Sequence, residues 1–170
     1  MKIKTNKKII IHTGIGFFFL LAFVFFTPWS KFGGNILLWS AQNGYTTVTK
    51  TIVYLGAPVD YETEHKETAF ILSAKRGDIE AVQFLTENSA NINHQDRYGY
   101  TAIMLVSSSD YENEKIVKYL LSRWDIHIDL KSDLGYTALD FARHLIDTQI
   151  SKMLVAKSRE FSYIIYSSFF

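Results

Sequence analysis

The tetrapeptide Gly-Tyr-Thr-Ala occurs twice in this chain, at Gly99–Ala102 and at Gly135–Ala138. A step of 33 residues back from Thr101 reaches Thr68, which is also followed by alanine, and a second such step reaches Asn35 behind Gly33-Gly34. Four starts, Asn35, Thr68, Thr101 and Thr137, are therefore spaced 33, 33 and 36 residues apart. A period of this size marks a supersecondary unit that buries its apolar face only against its neighbours. The 170 residues hold four such units with short flanks, so a single closed core is not the expected solution.

Each unit reads as two helices and a connection. Thr or Asn at the start suits an N-cap, because its side-chain oxygen accepts a backbone N–H of the first turn. Small residues follow where paired helices approach closely: Ser40-Ala41, Ser73-Ala74, Ser107 and Ala142. Gly44 and Gly77 mark the ends of first helices in units one and two. Second helices then carry apolar residues at helical spacing: Val48, Ile52 and Val53; Val82 and Leu85; Ile116, Val117, Leu120 and Leu121; Ile150, Met153 and Leu154. Units one and two close on Gly56-Ala57-Pro58-Val59-Asp60 and Ser89-Ala90-Asn91-Ile92-Asn93.

In this register the chain resembles the ankyrin-repeat family, whose unit runs Gly-x-Thr-Pro-Leu-His, Ala-Ala, Gly, Val-Val, Leu-Leu and Gly-Ala-Asp-Val-Asn. The likeness covers about residues 33–157, in units of about 33–65, 66–98, 99–134 and 135–157. It implies an all-α solenoid of helix-turn-helix pairs with β-turn fingers. The departures are specific. Ala69, Ala102 and Ala138 stand in place of the family's proline, with Ile36 in the first unit. Leu38, Ile71, Met104 and Asp140 replace the histidine that ties neighbouring loops together. The third unit lacks the inter-helix glycine and carries extra residues within 107–114 and near Trp124–His127. Residues 158–170, with Phe161, Ile164, Ile165 and Phe169, read as a cap over the last unit, with a membrane-surface or partner contact as the alternative.

Ahead of the repeats, residues 1–8 carry four lysines and no acid, and residues 9–26 carry no Asp, Glu, Lys or Arg. Eighteen residues at 1.5 Å each span roughly 27 Å, close to a hydrocarbon core of ~30 Å. Trp29 and Lys31 follow at interfacial depth. A cleaved signal peptide competes with an uncleaved anchor over 9–29. The anchor is favoured because no small-x-small site closes the run. The lysines then keep the N-terminus cytoplasmic and place the repeats outside, in a periplasm if the cell is bacterial. The full fold expectation is thus the solenoid preceded by one transmembrane helix.

The whole chain has a formal charge of +1, and beyond Lys31 thirteen bases face seventeen acids. That balance argues against nucleic acid as a partner. The absence of cysteine excludes disulfides, thiol nucleophiles and Cys-ligated metal. No Gly-x-Ser-x-Gly, P-loop or His-Glu-x-x-His motif occurs, and Gly14-Ile15-Gly16 lies inside the apolar run. The expectation is a non-enzyme with no cofactor, no small-molecule substrate and no metal. The finger histidines His65, His94 and His127 keep a metal-dependent alternative in view, as Asp110, Glu112 and Glu114 do for calcium.

The resemblance implies a concave surface made by the fingers and the first helix of each pair. Trp39, Leu72, Leu105 and Phe141, one per unit, form an apolar stripe there. Each of the four is also explained by packing alone. The fingers add Tyr61, His94, Arg97, Tyr98, Tyr100 and Tyr136, types that favour interfaces because they join a large contact area to a polar handle. Asp60, Glu62, Glu64 and Glu67 make the first finger acidic and suited to a basic partner. The expected function is a membrane-anchored protein-binding module, in its narrowest form an envelope immunity or inhibitor protein against a secreted toxin. A structural subunit of a membrane complex is the remaining alternative.

Overall fold

A computed structural model describes residues 29–108, 113–143 and 149–167, with side chains up to residue 160. The basic segment 1–8 and the expected span, Trp29 excepted, lie outside the described residues, as do Asp110 and Glu112. Among the described residues, no helix is long and apolar enough to cross a membrane.

Every regular element described is a helix. α1 covers residues 29–43, followed by α2 (Thr46–Tyr54), α3 (Ala69–Arg76), α4 (Ile79–Glu87), α5 (Ala102–Ser107), α6 (Glu114–Ser122), α7 (Ala138–Arg143) and α8 (Gln149–Ser167). Within the units α3 packs on α4, α5 on α6 and α7 on α8. Between units α3 meets α5 and α5 meets α7 in one row, while α2, α4, α6 and α8 follow one another in a second. Two isolated bridges, Glu62 to Thr68 and Gln95 to Thr101, pinch the first two fingers.

The helix starts are set by side chains. Thr68 Oγ1 accepts from Ile71 N and Thr101 Oγ1 from Met104 N, each at 3.4 Å. At the fourth start the exchange is reciprocal: Thr137 Oγ1 accepts from Asp140 N at 3.4 Å, and Thr137 N donates to Asp140 Oδ2 at 2.9 Å. This capping box satisfies two orphan donors at once.

The first unit departs from the expected cap. Asn35 is not an N-cap: α1 runs through it without a break from residue 29. Among the described residues no finger precedes this unit to turn the chain, and Gly33-Gly34 serve as a packing notch inside the helix. A Cβ on Gly34 would stand 2.3 Å from Tyr61 Cγ, and one on Gly33 3.2 Å from Ala57 Cβ. Trp29 is likewise part of the folded unit, its indole donating to the Leu55 carbonyl at 3.1 Å.

A single apolar core runs from Leu37 to Leu154. Phe70, Ile71, Leu85, Ile103, Met104 and Leu120 are fully buried, each worth ~1.5–3 kcal/mol of transfer free energy. In three units the position of the family's histidine has thus become core (Leu38, Ile71, Met104), and in the fourth it is the capping Asp140. The small residues Ser40, Ser73, Ser107 and Ala142 are all fully buried, as close helix approach requires.

Val48 was expected inside α2 but lies at the surface, and Thr49 takes the buried position. Ser40 Oγ donates to the Leu37 carbonyl at 3.0 Å, which leaves it to accept from Thr49 Oγ1 at 2.9 Å. A hydrogen-bonded pair therefore holds α1 to α2 where apolar contact was expected. At the other end, no boundary falls at 158, because α8 carries the chain on as helix to Ser167. The side chains of Phe161, Ile164, Ile165 and Phe169 lie outside the described residues.

Candidate functional site

Three fingers are built on one plan with three different residues. Thr63 Oγ1 accepts from His65 N and Glu67 N at 3.2 and 3.1 Å. Asp96 Oδ1 accepts from Tyr98 N and Tyr100 N at 2.8 and 2.9 Å. Ser132 Oγ accepts from Tyr136 N at 3.2 Å. In each finger the same residue's N–H also donates to the carbonyl four residues on, at 2.9–3.0 Å. One oxygen at the finger base thereby fixes the residues at its tip.

Finger is joined to finger by backbone as well: Arg97 N donates to the His65 carbonyl at 2.9 Å and Asp133 N to the Tyr98 carbonyl at 3.0 Å. Side chains replace the missing loop-tying histidine. His94 Nε2 meets the Lys66 carbonyl at 2.9 Å, and Gln95 Nε2 donates to the Lys131 carbonyl at 2.9 Å. Asn93 Nδ2 donates to the Asp125 carbonyl at 2.7 Å while its Oδ1 accepts from His127 N at 2.8 Å.

On this frame Tyr98, Tyr100, Phe141 and Tyr136 form a chain of ring contacts. Tyr98 and Tyr100 lie 6.1 Å apart, Tyr100 meets Phe141 edge-on at 5.4 Å, and Tyr136 meets Phe141 edge-on at 6.3 Å. Edge-to-face pairs at these distances attract through the ring quadrupoles. Tyr98 and Tyr136 keep 55% and 46% of their surface exposed, so the cluster is anchored below and open above. The Arg97 guanidinium lies 5.4 Å from the Tyr98 ring and donates through Nη1 to His65 Nδ1 at 2.8 Å. That bond requires the Nδ1 lone pair, hence the Nε2–H tautomer of His65.

The other expected site residues separate. Trp39 is exposed but its ring meets that of Tyr45 at 5.1 Å, tilted by 41°, across the α1–α2 turn. Leu72 is buried, which breaks the expected stripe in the second unit; its side chain faces the core between neighbouring helices. Leu105 is half-buried on the same core. Tyr61 is half-buried in the Gly34 notch, and His94 is a finger-to-finger link.

Tyr45 was missed. It occupies the place where the next unit has the capping Asp78, and makes no cap hydrogen bond itself. That substitution was the available signal. His65, a finger residue also weighed as a metal ligand, proves to be the partner of Arg97.

Charges at the fingers are largely satisfied within the protein. Of the four acids of the first finger, Asp60 accepts from Asn91 N, Glu67 pairs with Lys75 at 2.6 Å, and Glu62 lies 3.6 Å from His94 Nε2. The Thr137 backbone N–H and then its hydroxyl hold the Asp140 carboxyl below the usual carboxylate range. The Arg123 guanidinium, bonded at 3.1 Å through Nε and Nη2, does the same for Asp125. Among the described residues, no three His, Asp or Glu side chains converge on a common metal position.

A family model described as "Ankyrin repeats (3 copies)" matches residues 37–132. The chain belongs to the ankyrin-repeat family. Ankyrin repeats are in general non-catalytic modules that bind protein partners. Rat and mouse "Ankyrin repeat and SAM domain-containing protein 6" are 36% and 35% identical over 92 residues, which is 52% of this chain and 10% of each relative. A Caenorhabditis elegans "Transient receptor potential cation channel subfamily A member 1 homolog" is 27% identical over 112 residues, 66% of this chain and 9% of the relative. The chain spans about a tenth of the length of these curated relatives. The fourth ankyrin unit lies beyond the match, yet it supplies Tyr136 and Phe141, half of the aromatic cluster.

Proposed function

We propose that this ankyrin chain is a membrane-tethered, non-catalytic module that captures a protein through the face formed by Tyr98, Tyr100, Tyr136 and Phe141, edged by Arg97. The observation that carries the reading is the open aromatic cluster on fingers locked to one another. Its tyrosines are ordered before a partner arrives, so little rotamer freedom is lost on binding. The half-buried Phe141 and Tyr100 supply the footing and Arg97 the charged rim that recognition surfaces combine. The apolar run 9–26 behind four lysines supports the tether and an outward-facing repeat domain. Confinement to a bilayer raises the effective concentration toward partners in the same membrane. An inhibitor that occludes a secreted toxin is one member of this class.

The test is photo-crosslinking of the full chain in its native membranes, followed by affinity measurement with the partner it identifies. Tyr98→Ala with Tyr136→Ala is expected to weaken affinity at least tenfold, about 1.4 kcal/mol or more, while helical content is kept. Trp39→Ala, outside the cluster, is expected to change it little. Equal affinity of the double variant and the parent chain removes the cluster from the interface.

A further inference from the structure

We infer that the free end of the first unit, where Trp29, Phe32 and Leu55 meet, lies against the headgroup layer of a phospholipid bilayer. The inference rests on the tether reading of residues 9–26. Phe32 and Leu55 are 59% and 58% exposed, and the neighbouring Tyr54 is 75% exposed. Trp29 joins them, its ring 6.2 Å from Phe32 and its indole N–H on the Leu55 carbonyl.

Tyr54 has a packing role, its ring edge-on to Phe84 of the next unit at 5.3 Å, but the repeat shows that Leu55 is not a demand of the fold. One period on from Tyr54-Leu55 the chain has Glu87-Asn88, and the third unit ends its second helix with Ser122-Arg123. Polar residues suffice at the helix end in both. Of the three units compared, the one that adjoins the apolar run has Leu55 just past this helix, where the other two have Asn88 and Arg123.

Chain length places the patch. Trp29 stands three residues beyond Phe26, a reach of roughly 10 Å at most. The headgroup layer is ~5–8 Å thick on each side of the hydrocarbon. Short of full extension along the bilayer normal, this reach keeps Trp29 at interfacial depth, where Trp and Tyr partition favourably. The indole bond to Leu55 and the ring contact with Phe32 then bring the end of α2 and the second turn of α1 to the same level. Lys31, exposed beside them, suits the phosphate of a headgroup.

The native chain has no cysteine, so a single introduced thiol carries a label at one site. The full chain with Leu55→Cys bearing an environment-sensitive fluorophore is mixed with phosphatidylcholine–phosphatidylglycerol vesicles whose headgroups carry nitroxides. The control is Trp124→Cys, at a residue 85% exposed in the loop after α6. The expected result is co-flotation of both, with most of the fluorescence lost at 55 and little at 124. Adding Phe32→Ser is expected to restore much of the signal at 55 without loss of flotation. Flotation with equal, weak quenching at both sites overturns the patch and leaves the tether standing. Failure to float overturns the tether and the patch together. A label at 55 that is shielded without quenching, increasingly so at higher protein concentration, assigns the surface to a second copy and overturns the inference.

Discussion

Replacing Asp96 by alanine removes the oxygen that fixes the second finger. Its Oδ1 accepts two backbone N–H groups, from Tyr98 and Tyr100, and the residue is only 9% exposed. Hydrogen bonds to a charged acceptor are worth ~1.5–3 kcal/mol each. The finger edge is partly open, so water recovers part of that after truncation, and the lower end of the range applies. The expected loss for Asp96→Ala is about 2–3 kcal/mol. With a urea slope of ~2 kcal/mol/M, the unfolding midpoint falls by about 1–1.5 M. The neighbouring fingers supply the control, since Thr63 accepts the same two bonds with a neutral hydroxyl and Ser132 accepts one of them. Asp96→Thr should therefore recover most of the loss and leave a deficit of about 0.5–1 kcal/mol. Urea unfolding followed by circular dichroism, with hydrogen exchange at the Tyr98 and Tyr100 amides, reads both effects. If the alanine variant loses less than ~0.5 kcal/mol, or threonine does no better than alanine, the side chain is not what holds the finger.

Three further outcomes follow from single side chains. Ser73 Oγ is buried with no hydrogen-bond partner among the described residues, so Ser73→Ala should be neutral or up to about 1 kcal/mol stabilising, whereas Ser40→Ala, which orphans Thr49, should cost about 1–2 kcal/mol; thermal midpoints separate them. Lys66 sits at φ +57°, where the corresponding residues of the other fingers are Gly99 and Gly135, so Lys66→Gly should raise stability by about 0.5–1 kcal/mol in the same assay. Asp140 has a folded pKa depressed by its bonds to Thr137. Its contribution is complete above the unfolded carboxylate range and is lost as pH falls from about 5 through the folded value. Acid titration should therefore loosen the last unit, and Asp140→Ala should flatten that part of the pH profile.

Much of the arrangement can be read from the repeat. The caps at Thr68, Thr101 and Thr137 and the buried small residues follow from local rules that each unit obeys in the same way. The Asn35 start was misread because those rules assume a preceding finger, and the first unit has none among the described residues. Thr49 was missed inside α2 because a buried hydroxyl is indistinguishable from a surface one until its partner, Ser40, is located across the turn.

The site divides along the same line. The period, the helix starts and the residue types at the fingers are legible from the chain alone, because these depend on contacts within about one unit. Which aromatics act together is set by the packing of one unit on the next. The tertiary structure buried Leu72, paired Trp39 with Tyr45, spent His94 on a finger-to-finger link, and set Tyr98, Tyr100, Tyr136 and Phe141 against one another. Those outcomes depend on how far one unit is displaced and rotated on the next, a quantity fixed by side chains some 33 residues apart and carried by no single stretch of the chain.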